Sequence, residues 1–516
     1  MIRAILALLM LVTMAPLGFA PAALPTLPAT QPATRPASRP SDIDRRKLRQ
    51  LGRKALEAAK AGKLEEAEAA LSQALIIDPT HSTNLYNMAC IKALRGRQEA
   101  AIDYLERAAV EGFTDFIHLE RDADLVSLRP LERYKKFIAR KAEWQRKAAE
   151  KVISVLRREF GEGYIYEVDD ADKLIFATNT DPQTLAALKK WLSAQARSQW
   201  DQLFEHRPDQ YISVILPSPT DYRNIVTMPG VGGFYNHENR ILIAQRLGQI
   251  MTHEFTHAMH SADLDPLGQE HPIWLTEGIA TMYEAGRFEN DVLIPADNFR
   301  LGPLKQAAAR NRLIPFDKLM KMDQKSFVNN ATIAYGESGS LLLYLHSKDL
   351  LRKFYDTFKE GFEKDKTGAA ALQEVTGMPL AQLEKEWKEW MLQRTPPTLQ
   401  TGQNGVVLGV RFGQGNDGLK IDQVFPLGPA AKAGMLTGDV IVGIGDVDTR
   451  DQQSFVPLLA LHKPGEKVMI KFRRGQEYLT VPILLIERGR IAWGIPATRP
   501  STRPTTRPAP LPASRR

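Results

Sequence analysis

Two histidines four residues apart, with a glutamate beside the first, stand in Met251-Thr-His-Glu-Phe-Thr-His257. Positions four apart share one face of a helix, so His253 and His257 can present two ring nitrogens to one metal ion. Glu254, rotated by about 100°, can lean over the open coordination position as a base. This is the H-E-x-x-H zinc pattern. Two imidazoles alone hold zinc weakly, and a catalytic site wants three protein ligands and one water. The third candidate is Glu277, within His271-Pro-Ile-Trp-Leu-Thr-Glu-Gly-Ile-Ala-Thr-Met-Tyr-Glu284. A carboxylate flanked by Trp274, Leu275, Ile279 and Ala280 is costly to bury unless a cation meets it.

Helices must position these groups. Leu247, Ile250, Met251, Phe255, Ala258, Met259 and Ala262 form an apolar stripe at three- and four-residue spacing, with no proline from Arg246 to Ala262. A second helix is predicted with Pro272 at its start and Gly286 just past its end. The W-L-x-E-G-x-A wording of Trp274–Ala280, with 19 residues between His257 and its Glu277, resembles the gluzincins, zinc peptidases whose third ligand is a glutamate on the following helix. The likeness is strongest over residues 225–290. It implies a zincin-like α+β domain over 141–398 with a mostly helical C-terminal half, and one Zn²⁺ per chain on His253, His257 and Glu277, with Glu254 as general base. It also implies that Tyr335, in Ala334-Tyr-Gly-Glu-Ser-Gly-Ser-Leu-Leu-Leu-Tyr344, opens an apolar helix and steadies the oxyanion. Glu284, seven residues after Glu277 and on the same face, would hold a ligand histidine from behind. His237, His260 and His271 read as local hydrogen-bonders. A surface helix with two solvated histidines is the plain alternative, and it leaves the second motif without a reason.

Ahead of the motif, Gly163-Tyr-Ile-Tyr166, Lys173–Thr178 and Tyr211–Leu216 read as strands, and Thr184–Phe204 as an amphipathic helix. Gly232-Gly-Phe-Tyr-Asn-His-Glu-Asn239 turns into a strand at Arg240-Ile-Leu-Ile-Ala244. In the related peptidases that strand is an exposed edge along which substrate pairs its backbone. Glu238-Asn239 resembles the amine-reading pair of aminopeptidase relatives but lies closer to His253 than they place it.

The 516 residues are 43% hydrophobic and 25% charged, enough for several globular domains. The net charge of +8 comes from Arg3, Arg35 and Arg39 at one end and Arg499, Arg503, Arg507, Arg515 and Arg516 at the other. Residues 41–490 are neutral overall, which removes the main support for nucleic-acid binding. Arg3 followed by the apolar run from Ala4 to Met14 and small residues has the layout of a cleavable signal peptide over 1–23. A periplasmic or extracellular protein without a transmembrane segment in its mature chain is expected. Cys90 is the only cysteine, so no intrachain disulfide forms. Residues 24–43 and 495–516 share a Pro/Ala/Thr/Arg idiom that favours extended, solvated chain.

From residue 44 to 140 two 34-residue units resemble tetratricopeptide repeats, with Leu51, Ala55, Ala58, Gly62, Ala67, Leu71 and Ala74 answered by Leu85, Ala89, Gly96, Ala101, Leu105 and Ala108. Leu125, Leu128, Leu131 and Phe137 are expected in one capping helix, Cys90 in the interior, and Arg140–Glu159 in a bridging helix. Residues 403–488 are β-rich. Gly428-Pro-Ala-Ala-Lys-Ala-Gly-Met-Leu-Thr-Gly-Asp-Val-Ile441 resembles the bacterial PDZ signature, which makes Leu408-Gly409-Val410 the loop that receives a peptide carboxylate. Together these readings give a multidomain, exported zinc metallopeptidase with peptide or protein substrates. The repeats would recruit a protein partner and the PDZ domain a C-terminal peptide. The rival is a non-catalytic scaffold with a structural or degenerate metal site; an intact Glu254 argues against it, since a structural site needs no base.

Overall fold

The computed structural model describes residues 42–226, 231–245, 247–289, 292–396, 406–413, 419–426, 428–445, 447–449, 455–456, 458–459 and 462–487. The expected signal peptide, nearly all of the first Pro-rich segment and the tail over 495–516 lie outside them. The chain divides into two compact units, Met1–Thr398 and Leu399–Arg516.

The first unit begins with two helical hairpins, α1 (Asp42–Lys60) with α2 (Leu64–Ile77) and α3 (Ser82–Leu94) with α4 (Gln98–Val110). Their alanines and leucines interlock because small residues let the helices approach; Ala67, Ala74, Leu85, Ala89, Ala101 and Ala108 are sealed from solvent. Gly62 and Gly96, 34 residues apart, both turn the chain at φ 72°, and each closes its helix with the same hydrogen-bond pattern. The expected capping helix is instead three pieces: α5 (Phe116–Arg121), a 3-10 turn (Ala123–Leu128) and α6 (Glu132–Ala139). Asp122 caps the 3-10 turn through Asp124 N, and Pro130 prevents a continuous helix. Cys90 is buried, as its register requires. The bridging helix is α7 (Lys141–Phe160), whose Ala149 and Leu156 lie on a sheet.

That sheet has the order β1-β2-β3-β5-β4, from β1 (Ile165–Asp169), β2 (Leu174–Thr178), β3 (Ile212–Leu216), β4 (Gly233–Asn236) and β5 (Ile241–Ala244). β2, β3 and β5 run parallel, whereas β1 and β4 are antiparallel to their neighbours. β2 and β3 are buried at every residue, which is why they read as unbroken apolar runs. α8 (Pro182–Gln202), between β2 and β3, starts at Asp181, whose side chain accepts from Gln183 N and Thr184 N. α9 (Pro219–Ile225) leads from β3 towards β4. The strand expected to be the exposed edge, β5, lies inside the sheet between β3 and β4; the edge is β4.

After the sheet come α10 (Gln249–Leu264) and α11 (Ile273–Tyr283), then a hairpin of β6 (Arg287–Glu289) and β7 (Val292–Ile294) within the stretch expected to be mostly helical. Helices α12 (Leu301–Ala309), α13 (Phe316–Leu319), α14 (Gln324–Asn329), α15 (Ala331–Ser347), α16 (Leu351–Gly361), α17 (Ala369–Thr376) and α18 (Leu380–Gln393) complete the unit. α11 and α15 cross at glycines: a Cβ on Gly278 would meet Ser338 at 3.1 Å, and one on Gly339 would meet Thr281 at 2.6 Å. No helix among the described residues is long and apolar enough to cross a membrane.

In the second unit β8 (Val406–Val407), β9 (Val410–Phe412), β10 (Leu419–Val424), β11 (Val440–Ile444), β12 (Val447–Asp448), β13 (Lys467–Arg474), β14 (Glu477–Leu484) and β15 (Ile486–Glu487) form antiparallel ladders, with the short helix α19 (Pro429–Lys432) after β10. β8 and β9 are separated at Gly409, whose φ of 77° no β-strand accommodates.

Candidate metal centre

α10 starts straight after β5, with Gly248 at φ 95° turning the chain. Its buried side carries Met251, Phe255, Ala258, Met259 and Ala262, and this fixes where His253, Glu254 and His257 point. α8 holds α10 in register. Gln195 Nε2 donates to Thr252 O at 3.1 Å, and Gln199 Nε2 donates to Thr256 Oγ1 at 2.7 Å. α11 lies across α10 with Trp274 and Tyr283 fully buried, and Trp274 Nε1 donates to Thr367 O.

The crossing brings three donors together. His253 Nε2 is 3.1 Å from His257 Nε2 and 3.2 Å from Glu277 Oε2, and the third side, from His257 Nε2 to Glu277 Oε2, is 3.4 Å. With zinc–ligand bonds of about 2.0–2.1 Å, donors at tetrahedral angles stand about 3.3–3.4 Å apart. Two imidazole nitrogens and one carboxylate oxygen on such a triangle fit a zinc ion with its fourth position open.

Electrostatics tie the cluster together. Burial opposes the ionised form of Glu277, but the two histidines outweigh it and hold the carboxyl well below its usual range. Burial also opposes a charged His253, and the carboxylates of Glu277 and Glu284 overcome it, holding the imidazole well above its ordinary value. Glu254 is pushed up, chiefly by burial, against the downward pull of His253, His257 and the Tyr235 backbone N–H.

Glu284 sits at the C-terminal end of α11 with Oε1 3.0 Å from His253 Nδ1. Two residues that carry no motif anchor it. Arg300 donates from Nη2 to Oε1 at 2.9 Å and from Nε to Oε2 at 3.2 Å, and Asn298 Nδ2 donates to Oε2 at 3.1 Å. Sequence reasoning passed over both, because only the return of the chain after β7 brings them to α11.

Tyr335 lies in the second turn of α15, not at its start. Its ring is 6.3 Å from that of His253, between the Arg300 guanidinium at 4.9 Å and Phe327 at 5.0 Å. Burial and the Glu277 carboxylate raise its hydroxyl pKa, so it stays a donor. His260 and His271 lie outside the cluster, bonded to each other at 3.0 Å and, through His271, to Gln269. His237 and Glu238 are exposed in the β4–β5 turn, and Asn239 there donates to Asn236 Oδ1.

β4 lies alongside α10. The bond from Gln245 N to Gly232 O sets the register, so that Gly233 and Tyr235 turn their peptide groups away from β5.

In the second unit, Leu408 O accepts from Ala430 N at 2.8 Å and Gly409 O from Phe425 N at 2.9 Å, which fastens the 408–410 loop to the start of α19 and to the end of β10. The Gly438-Asp439 step is held by Arg474, which donates to both carboxylate oxygens of Asp439 at 2.8 and 2.7 Å.

Residues 406–485 match the PDZ domain family. No curated protein sequence matches the chain. Among solved structures, the chain is similar to an HtrA-type protease crystallised with a decapeptide, at 25% identity and a TM-score of 0.16, over 16% of this chain and 29% of that one. It is also similar to the serine endoprotease from Yersinia pestis, at 23% identity and a TM-score of 0.15, over 21% and 36%. An aminopeptidase N family protein from Idiomarina loihiensis is 16% identical with a TM-score of 0.26, over 61% of this chain and 65% of that one. The chain thus spans less than two thirds of each of these proteins.

Proposed function

We propose that the chain is an exported zinc-dependent endopeptidase of the gluzincin kind, with a tetratricopeptide pair for a partner protein and a PDZ domain that receives peptide C-termini on Leu408, Gly409 and Val410. The reading rests above all on the triangle of His253 Nε2, His257 Nε2 and Glu277 Oε2, with sides of 3.1–3.4 Å and Glu254 beside it. The signal-like segment at 1–23 supports export, and the shared turns at Gly62 and Gly96 support the repeats.

A zinc ion held by these three side chains would supply the acidification of a water and the polarisation of a scissile carbonyl. The remaining work falls to the chain's own residues. Glu284 against Nδ1 of His253 leaves Nε2 facing the cluster, and so fixes the ring's orientation. Glu254, with its carboxyl pushed up by burial, takes the proton of the attacking water and returns it to the departing amine. Tyr335 donates its O–H to the oxygen that becomes negative. The open edge of β4 pairs with an extended substrate. Cleavage is taken to fall within chains, since Glu238 is exposed at the β4–β5 turn and does not belong to the His253–His257–Glu277 group.

The test combines metal analysis with digestion of a peptide library by the wild-type chain and by Glu254→Gln. About one zinc per chain is expected in both proteins, with cleavage by the wild type alone and turnover of the variant lower by at least about a hundredfold. Zinc in the wild type without cleavage of any peptide would leave the scaffold reading in its place.

A further inference from the structure

We propose that Arg300 is a positioning residue that locks the two halves of the site to each other, the histidine side through Glu284 and the oxyanion side through Tyr335. This rests on the zinc-peptidase reading of the same site. Glu284 is 6% exposed, and its two oxygens face Arg300 in a fork-to-fork pair at 2.9 and 3.2 Å. A two-point pair through Nε and Nη2 holds the planar guanidinium near the plane of the carboxylate. In that orientation its carbon lies 4.9 Å from the centroid of the Tyr335 ring. One rigid group therefore touches both the carboxylate behind His253 and the face of the ring whose hydroxyl would meet the substrate. Phe327, 5.0 Å from the same ring, limits its tilt.

The loop that carries Arg300 is fixed independently. Asn298, 9% exposed, donates from Nδ2 to Thr281 O at 3.0 Å and to Glu284 Oε2, and its Oδ1 accepts from Arg300 N at 2.9 Å. Nearby, Asp297 pairs with Arg394 at 2.6 Å. The backbone at Arg300 is thus held by Asn298, independently of the side chain that bridges α11 and α15.

The distinguishing variant is Arg300→Lys. Lysine keeps a positive charge for Glu284 but has neither the fork nor the flat face for Tyr335. Zinc affinity, measured on the full chain by competition with a coloured chelator, should fall about tenfold or less in Arg300→Lys and by about ten- to a hundredfold in Arg300→Gln. On a peptide that the wild type cleaves, both variants should lose kcat by on the order of thirtyfold with KM within about threefold. In a Tyr335→Phe background, Arg300→Lys should cost little further kcat, since both changes remove the same aligned hydroxyl. Wild-type kcat and zinc affinity in both Arg300 variants, with only a lowered Tm, would reduce Arg300 to a structural ion pair. Full additivity with Tyr335→Phe would break the link to the tyrosine. A wild-type chain that takes up no zinc would instead overturn the reading of the site itself.

Discussion

A Cβ added to Gly233 would stand 3.1 Å from Cγ of Glu254, so the edge strand and the zinc-motif helix meet where no side chain fits. The same atom would lie 2.9 Å from Ile243 O and 2.8 Å from Cγ2 of Ile250, hemmed in by backbone on one side and by α10 on the other. The glycine is there for clearance: it allows β4, the open edge of the sheet, to run beside the carboxylate proposed as base.

Gly233→Ala should therefore push β4 and Glu254 apart. A displacement of well under 1 Å at the base suffices to lower kcat by on the order of tenfold, with zinc content unchanged because none of the three donors moves. Gly232→Ala is the control, since its Cβ would meet only the end of the Ile250 side chain, which can rotate away. Equal losses in the two variants, or loss of zinc from Gly233→Ala, would show that the clearance does not act through Glu254.

Glu277→Ala should release most of the zinc. Two imidazoles remain, and the affinity read by chelator competition is expected to fall by about a hundredfold or more. Metal content equal to wild type would mean that the third donor lies elsewhere.

The helices of this site were legible because helical periodicity and helix ends are local signals. The apolar stripe from Leu247 to Ala262 needs only its own 3.6-residue repeat, and Pro272 marks the start of α11 whatever packs on it. Strand neighbours are not local. Ile241–Ala244 reads the same at an edge or in the middle of a sheet, and Gly232-Gly233 depresses any strand reading of β4, although the glycines are what lets that strand take the edge position. The hairpin of β6 and β7 was missed because Arg287 and Glu289 are exposed on one strand, and only Leu293 of the other enters the core. Asn298 and Arg300 could not be assigned at all, since their partner Glu284 lies across a turn that no spacing rule describes.

Tyr335→Phe removes one hydroxyl and leaves the ring between Arg300 and Phe327. A donor aimed at developing charge helps the transition state more than the bound substrate, so kcat should fall by on the order of a hundredfold with little change in KM or zinc content. Full kcat in this variant would retire the oxyanion role and leave Tyr335 as a packed aromatic.

Two residues beyond Tyr335, Glu337 is completely buried, and its Oε2 has no hydrogen-bond partner among the described residues. Its other oxygen accepts from Ile314 N at 2.8 Å. Burial pushes its carboxyl up to about 8, against the lowering by the Ile314 N–H, and the nearby Glu384 carboxylate adds to the rise. In the unfolded chain the same carboxyl releases its proton near its ordinary value of about 4.3. Between these two values the folded chain binds more protons than the unfolded one, so stability falls as pH rises through that window, and the penalty is fully developed only above about 8. Glu337→Gln cannot ionise and keeps an oxygen for Ile314 N. Its stability should match that of the wild type near pH 4.5 and pull ahead steadily towards pH 8, where the difference in unfolding free energy is expected to be on the order of 2–4 kcal/mol in the variant's favour, with a correspondingly higher Tm. Thermal melts of the two proteins at a series of pH values give the answer directly. An offset that stays constant from acid to alkali would mean that Glu337 titrates alike in the folded and unfolded chain.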